Sequence, residues 1–143
     1  MQEKLQTRAF ERVAPVLEPG ERPLTATRTV VGSFGSGRFG AVAGQALLLE
    51  GAGAMSAVIA SNAKQFVVLT DRRLIFLGQT LLGGPSATVI GAVPRHSITL
   101  TEVKMGVVSL LRIAFGPYGD GVALTFPRVD KKNAEALAAA LQR

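Results

Sequence analysis

The stretch Gln65-Phe-Val-Val-Leu-Thr-Asp-Arg-Arg-Leu-Ile-Phe-Leu77 decides the fold of this chain. It contains two apolar runs, 65–69 and 73–77, that are rich in the β-branched and aromatic residues that strands favour. The three residues between the runs, Thr70, Asp71 and Arg72, suit a tight turn. The stretch therefore predicts an antiparallel hairpin in the middle of the chain.

Further strands are predicted on both sides of this hairpin. Residues 23–31 alternate between threonine and other side chains, and short apolar or alternating segments separated by Gly- and Pro-containing turns follow the hairpin. These later strands are 87–93, 97–105, 109–115 and 122–126. The alternation of 97–105 goes out of phase at Glu102, which predicts a β-bulge there. Because sheet edges must be closed or covered, the pattern predicts a mainly β fold: a seven-stranded antiparallel sheet, bent into a partly open barrel or orthogonal sandwich.

A helix is predicted at each end of the chain. Residues 1–14 carry apolar side chains at helical spacing and are followed by Pro15. Residues 130–143 carry an apolar stripe, and Asp130 is predicted as the N-cap. The stripe consists of Ala134, Leu137, Ala138 and Leu141. We expect this last helix to cover the open end of the sheet, and we expect all 143 residues to form a single domain.

Residues 32–62 form an apolar insertion between the first and second strands. They include seven glycines and seven alanines, and only Arg38 and Glu50 are charged. A straight membrane span is disfavoured because Gln45 and Glu50 lie near its middle. The segment is interpreted as a helical insertion that packs on the sheet, on a second copy or on a membrane surface, or as an ordinary surface insertion. The candidate contact residues are Leu47, Leu48, Leu49, Met55, Val58 and Ile59.

Composition and charge exclude several classes of site. The chain has no cysteine and one histidine, His96, so no metal site, thiol chemistry or cofactor is predicted. The net charge of +6 favours anionic partners, but the charges are scattered singly and aromatic residues are few, so nucleic acid is not expected. The first residues do not resemble a signal peptide, and we expect a cytoplasmic protein with membrane association as an option.

The segment Gly35-Ser-Gly37-Arg-Phe-Gly40 matches the G-x-G-x-x-G pattern and supports an alternative function, nucleotide or dinucleotide binding. In such sites the glycines bring the backbone close to a pyrophosphate at a helix N-terminus. Asp71, however, lies 31 residues beyond Gly40, whereas about 20 residues separate the pattern from its ribose-binding acid. The short turns that follow also leave no room for a βαβ unit.

Four stretches resemble the bacterial pleckstrin-homology-like (PH-like) domains, the YokE-like and GRAM-related group. They are Leu17-Glu-Pro-Gly-Glu21, Phe66–Leu77, Val93-Pro-Arg-His-Ser-Ile98, and Leu124-Thr-Phe126 with the helix from Asp130. The resemblance implies a non-catalytic interaction module that binds a protein partner, its own copy or an anionic membrane surface. PH-like domains elsewhere bind anionic lipids through basic residues beside the first loop. Only two candidate anion- or partner-binding residues, Arg38 and Lys64, flank the insertion here. The other two candidates, Arg72 and Arg73, lie in the hairpin turn, where arginines bind a phosphate or carboxylate ligand, pair with a nearby acid such as Asp71 or meet solvent.

Overall fold

The hairpin predicted at 65–77 lies at the centre of a computed structural model that describes residues 2–34, 64–81, 83–115 and 121–142. The helices and strands in these residues are α1 (Gln2–Val13), β1 (Pro23–Phe34), β2 (Lys64–Thr70), β3 (Arg73–Gln79), β4 (Pro85–Pro94), β5 (Ile98–Lys104), β6 (Ser109–Phe115), β7 (Gly121–Phe126) and α2 (Lys131–Leu141). Short 3₁₀ turns occur at Ala14–Val16, Arg95–Ser97 and Arg128–Asp130. The predicted mainly β chain with a short N-terminal and a C-terminal helix is confirmed.

The seven described strands form one antiparallel sheet in the order β4-β3-β2-β1-β7-β6-β5. β1 pairs with β2 from Pro23 to Val30 and then with β7 from Val30 to Phe34. The strand thus continues three residues into the segment 32–62 that the sequence predicted as an insertion. The reason is that β7 supplies pairing partners for these residues; Ala123, for example, lies opposite Gly32. This pairing outweighs the weak strand propensity of glycine. The bulge predicted near Glu102 is confirmed by a register shift between Leu100 and Glu102.

The sheet is curled, and within the described residues no ladder joins its two edge strands. β4 and β5 lie at opposite edges but are connected only by Arg95–Ser97. Three residues hold the two strand ends within about 14 Å of each other, whereas the edges of a flat seven-stranded sheet are about 29 Å apart. The rings of Phe76 on β3 and Phe115 on β6 meet edge to face at 6.4 Å across the interior. The sheet is therefore bent around its core without closing.

The core has one layer on each side of β2 and β3. On the concave side, buried residues of six strands pack with Ala134, Leu137 and Ala138 of α2, and β5 contributes the partly buried Ile98 and Leu100. On the other side, Ala9 and Val13 of α1 cover Phe66 and Val68 of β2 and their neighbours on β3. Because both faces of β2 and β3 are covered, these strands are continuous apolar runs and do not alternate.

Asp130 occupies the N-cap position of α2, but its side chain makes no capping hydrogen bond. Its buried carboxylate instead accepts a 2.9 Å bond from Nε of Arg28 on β1 and a 3.3 Å bond from the side-chain Nδ2 of Asn133. The predicted capping role is therefore corrected: the ion pair with Arg28 takes the carboxylate. This pair fixes the start of α2 beside β1.

Candidate functional site

The end of the sheet at the β2–β3 turn brings together three chain segments that carry arginines. The amide of Asp71 donates to the carbonyl of Arg22 at 3.0 Å, and the amide of Arg95 donates to the carbonyl of Arg72 at 2.8 Å. These backbone bonds join the residues before β1, the β2–β3 turn and the connection after β4. Residues distant in sequence therefore share one end of the first four strands.

The turn itself is fixed by side-chain hydrogen bonds of its own residues. The hydroxyl of Thr70 accepts from the amides of Arg72 at 3.0 Å and Arg73 at 2.9 Å. The Oδ1 of Asp71 accepts from the amide of Arg22 at 3.0 Å. Threonine and aspartate are common in turns because they can bond to nearby amides in this way. The turn therefore presents its side chains from a well-defined backbone.

Glu21, Thr70 and Arg73 form a buried cluster that we call the Glu21 anchor. The guanidinium of Arg73 donates two bonds to the two carboxylate oxygens of Glu21, each at 2.9 Å, and a third at 2.7 Å to the carbonyl of Val16. Thr70 donates to the same carboxylate at 2.6 Å, and the amide of Glu18 donates at 2.9 Å. The Glu21 side chain is fully buried, and Arg73 is 23% exposed. The anchor ties the segment before β1 to the hairpin.

The donors around Glu21 stabilise its charged form. The hydrogen bonds of Arg73 lower the pKa of Glu21 from its ordinary 4.5 to about 2, against the opposing effect of burial, and Thr70 and Glu18 lower it further. The same pairing raises the pKa of Arg73. The two groups therefore remain an ion pair throughout the physiological pH range.

Arg72 and Arg22, in contrast, have no part in the anchor and lie at the same end of the sheet. Both residues are exposed, and within the described part of the chain neither guanidinium has an ion-pair partner. We call this pair the arginine surface. Exposed His96 lies next to it in the Arg95–Ser97 turn, whereas the guanidinium of Arg95 reaches α2 and donates to the carbonyl of Ala140.

The four predicted anion-binding residues do not form one site. Arg72 and Arg73 are adjacent, but Arg73 belongs to the Glu21 anchor and Arg72 to the arginine surface. Lys64 is exposed at the opposite end of β2, six residue steps or about 20 Å from Thr70. Arg38 lies outside the described residues. Lys64 and Arg72 therefore lie beyond each other's reach, Lys64 at the start of β2 and Arg72 just after its end.

Several other predictions also fall on residues that the structure does not describe. They are the proposed helices of the insertion, the Gly35-Gly37-Gly40 pattern, and the contact residues Leu47, Leu48, Leu49, Met55, Val58 and Ile59. Asp71, the acid weighed as a partner for that glycine pattern, has one carboxylate oxygen bonded to the amide of Arg22.

The sequence reasoning did not identify Glu21 or Arg22 as site residues. The signal was present in Leu17-Glu-Pro-Gly-Glu21, where the Pro-Gly pair predicts a turn before the first strand. Gly20 adopts φ +84°, a conformation that other residues rarely take, and a Cβ there would lie 3.2 Å from a guanidinium nitrogen of Arg72. The turn at Gly20 thus places Glu21 against Arg73, and the guanidinium of Arg72 lies against Gly20 itself.

Among the described residues, no group of three or more acidic or histidine side chains is placed to hold a metal ion, and no helix has the length and hydropathy to cross a membrane. The chain matches no protein-family model, no curated protein and no solved structure.

Proposed function

We propose that this chain is a non-catalytic PH-like interaction module that binds an acidic protein segment through its arginine surface. The order of helices and strands supports the fold assignment, because each of the four resembling stretches occupies its expected place. Leu17–Glu21 precedes β1, Phe66–Leu77 spans β2 and β3, Val93–Ile98 joins β4 to β5, and Leu124–Phe126 ends β7 before α2.

The observation that carries the binding proposal is the contrast between Arg72 and Arg73. Arg73 is used by the fold, whereas Arg72 and Arg22 are exposed. Arg72 lies in the turn fixed by Thr70, and Arg22, just before β1, is joined to that turn by the bond from its amide to Asp71. A guanidinium binds a carboxylate with two parallel hydrogen bonds, and a fixed backbone lowers the entropy cost of that contact. Arginine is also enriched at protein interfaces, whereas lysine is depleted. These properties favour a protein carboxylate as the ligand.

The electrostatics of the buried acids support a non-catalytic role. A carboxyl group that acts as a general acid near neutral pH needs a raised pKa. Glu21 has the opposite shift, to about 2, because Arg73 and Thr70 donate to it. The buried carboxylate of Asp130 is likewise paired with Arg28. Both acids stabilise the positions of segments that flank the sheet.

Fluorescence anisotropy with a labelled oligoglutamate peptide tests the proposal, with an oligoglutamine peptide of the same length as control. We expect the intact chain to bind oligoglutamate in preference to oligoglutamine. The double variant Arg22→Gln/Arg72→Gln is expected to lose at least about tenfold in affinity because two charged hydrogen-bond donors are removed. The matched control Arg8→Gln/Arg12→Gln removes the same charge from the exposed face of α1 and should retain nearly full affinity.

Three outcomes would overturn the proposal. Equal losses in the two double variants would mean that only net charge attracts the peptide. Absence of peptide binding together with a dimer in sedimentation velocity would assign the surface to a second copy of this chain. A rise in melting temperature on adding NAD, ATP or flavin would favour the alternative nucleotide-binding function, because a ligand stabilises the state that binds it.

A further inference from the structure

The turn between β5 and β6 presents valine side chains to solvent. Val107 and Val108 lie in this turn and are 75% and 57% exposed, and Val103 on β5 is 40% exposed. Single exposed apolar residues are common on protein surfaces, but neighbouring ones point to a contact surface. We call these three residues, with the half-buried Met105, the valine turn.

Cationic side chains lie around the valine turn. Ser109 at the start of β6 pairs with Phe126 at the end of β7, so the valine turn and the residues after Phe126 leave the sheet at the same end. Those residues include exposed Arg128, Lys131 and Lys132, and Lys104 is exposed at the end of β5.

The acids near these cations are mostly engaged. Glu102 pairs with Lys104 and Arg112, and buried Asp130 pairs with Arg28. Glu135 is exposed on the next turn of α2. We call the four exposed cations the cationic rim: they are Lys104, Arg128, Lys131 and Lys132. The rim therefore keeps a net positive charge.

Lys131 and Lys132 also occupy an unfavourable place for cations. They begin α2, and the helix dipole disfavours positive charge at a helix N-terminus. An anionic surface placed against this rim would offset that repulsion. The charges therefore complement a negatively charged partner.

We propose that the valine turn inserts into an anionic phospholipid surface while Lys104, Arg128, Lys131 and Lys132 bind the lipid headgroups. Valines at the tip of a turn can enter the headgroup–acyl boundary, and a rim of cations is attracted by anionic lipid. A protein partner is disfavoured because lysine is depleted at protein interfaces. This inference concerns a surface separate from the arginine surface and does not depend on the proposed function.

Vesicle co-sedimentation of the full chain tests the inference with phosphatidylcholine alone and with added phosphatidylserine. We expect pelleting only with phosphatidylserine and partial release at high salt, because exposed charges are screened. Val107→Ser/Val108→Ser should reduce the affinity at least about tenfold, since two apolar contacts are lost. Lys131→Gln/Lys132→Gln should reduce it by about fivefold for each charge removed.

Leu81→Ser is the matched control variant. Leu81 is fully exposed in the β3–β4 loop, at the end of the sheet where β1 leaves toward 35–63. We expect this variant to pellet like the unmodified chain. No variant should lower the melting temperature, because the substituted residues are exposed. Lys131→Gln/Lys132→Gln should raise it slightly, because two cations leave the N-terminus of α2.

The inference is overturned if the unmodified chain does not pellet with phosphatidylserine, or if the valine variant pellets equally well. Loss in Leu81→Ser with full binding of the valine variant would place the membrane contact at the opposite end of the sheet. Loss of self-association, and not of vesicle binding, in the valine variant would identify a second copy as the occupant of the valine turn.

Discussion

The Glu21 anchor and the arginine surface lie side by side, but the guanidinium group of the anchor is held in a buried ion pair, whereas the arginines of the surface are exposed. Arg73 is three-quarters buried and donates to Glu21 and to the carbonyl of Val16. Arg72, one residue earlier, is exposed and has no ion pair with a described residue. Of two adjacent arginines in one turn, one therefore stabilises the fold, and the other is left exposed for binding a partner.

The two regions also differ in what fixes them. The anchor is made by side chains 52 residues apart in sequence, so it exists only when β1 and the hairpin have assembled. In the arginine surface, Arg72 belongs to a local turn whose amides bond to Thr70, and Arg22 is held beside that turn by hydrogen bonds with Asp71. A variant in the anchor should therefore affect folding, and a variant in the surface should affect binding alone.

Removing the anchor acid is expected to have the largest effect. Glu21→Ala leaves Arg73 and Thr70 without their acceptor in a buried place, so the free energy of unfolding should fall by about 3–5 kcal/mol. Urea denaturation followed by circular dichroism measures this fall. Arg72→Ala should change the same quantity by less than about 0.5 kcal/mol. Similar losses in the two variants would remove the distinction between the regions.

The second-largest effect is expected from lowering the pH, which should weaken the Glu21 anchor. The pKa of Glu21 is about 2 in the folded state, below its ordinary value of 4.5. A lowered folded-state pKa means that the stabilisation is complete above pH 4.5 and is lost as the pH falls from 4.5 toward 2. The shift corresponds to a contribution on the order of 3 kcal/mol at neutral pH.

Urea denaturation at a series of pH values measures this dependence. The unfolding free energy of Glu21→Gln should fall less steeply than that of the unmodified chain between pH 4.5 and 2. Parallel pH profiles for the two proteins would show that Glu21 titrates normally in the folded state.

A smaller effect is expected from changing the type of cation. Arg73→Lys keeps the charge but cannot reach both oxygens of Glu21 and the carbonyl of Val16 at once. We expect a loss of about 1–2 kcal/mol in unfolding free energy. Arg72→Lys, the matched substitution one residue away, should leave the melting temperature unchanged. A melting temperature of Arg73→Lys equal to that of the unmodified chain would mean that charge alone is sufficient in the anchor.

The sequence predicts much of the fold because the local patterns and the tertiary environment agree. The runs 65–69 and 73–77 are apolar on both faces, and both faces of β2 and β3 are in fact covered. The phase slip at Glu102 also corresponds to a real register shift. The extension of β1 through Phe34 was not predictable from local pattern, because it depends on pairing with β7 about ninety residues later.

The candidate site was only half predictable for a similar reason. The hairpin pattern predicts the same possible role for Arg72 and Arg73, because both lie in one turn and local sequence does not separate them. What separates them is Glu21, which Gly20 positions from a segment distant in sequence. Asp130 was likewise expected to cap α2, but Arg28 of the first strand takes its carboxylate. In both cases an ion pair between residues distant in sequence determines the role of the side chain.

Arginine labelling with phenylglyoxal, read by peptide mass spectrometry, tests most directly whether Arg73 serves the fold and Arg72 serves a partner. We predict rapid labelling of Arg72 and slow labelling of Arg73 in the folded chain, with Arg73 becoming reactive in Glu21→Ala. Added oligoglutamate should slow the labelling of Arg72 and leave Arg73 unchanged. Equal labelling rates for the two arginines, or no protection of Arg72 by the peptide, would contradict the account.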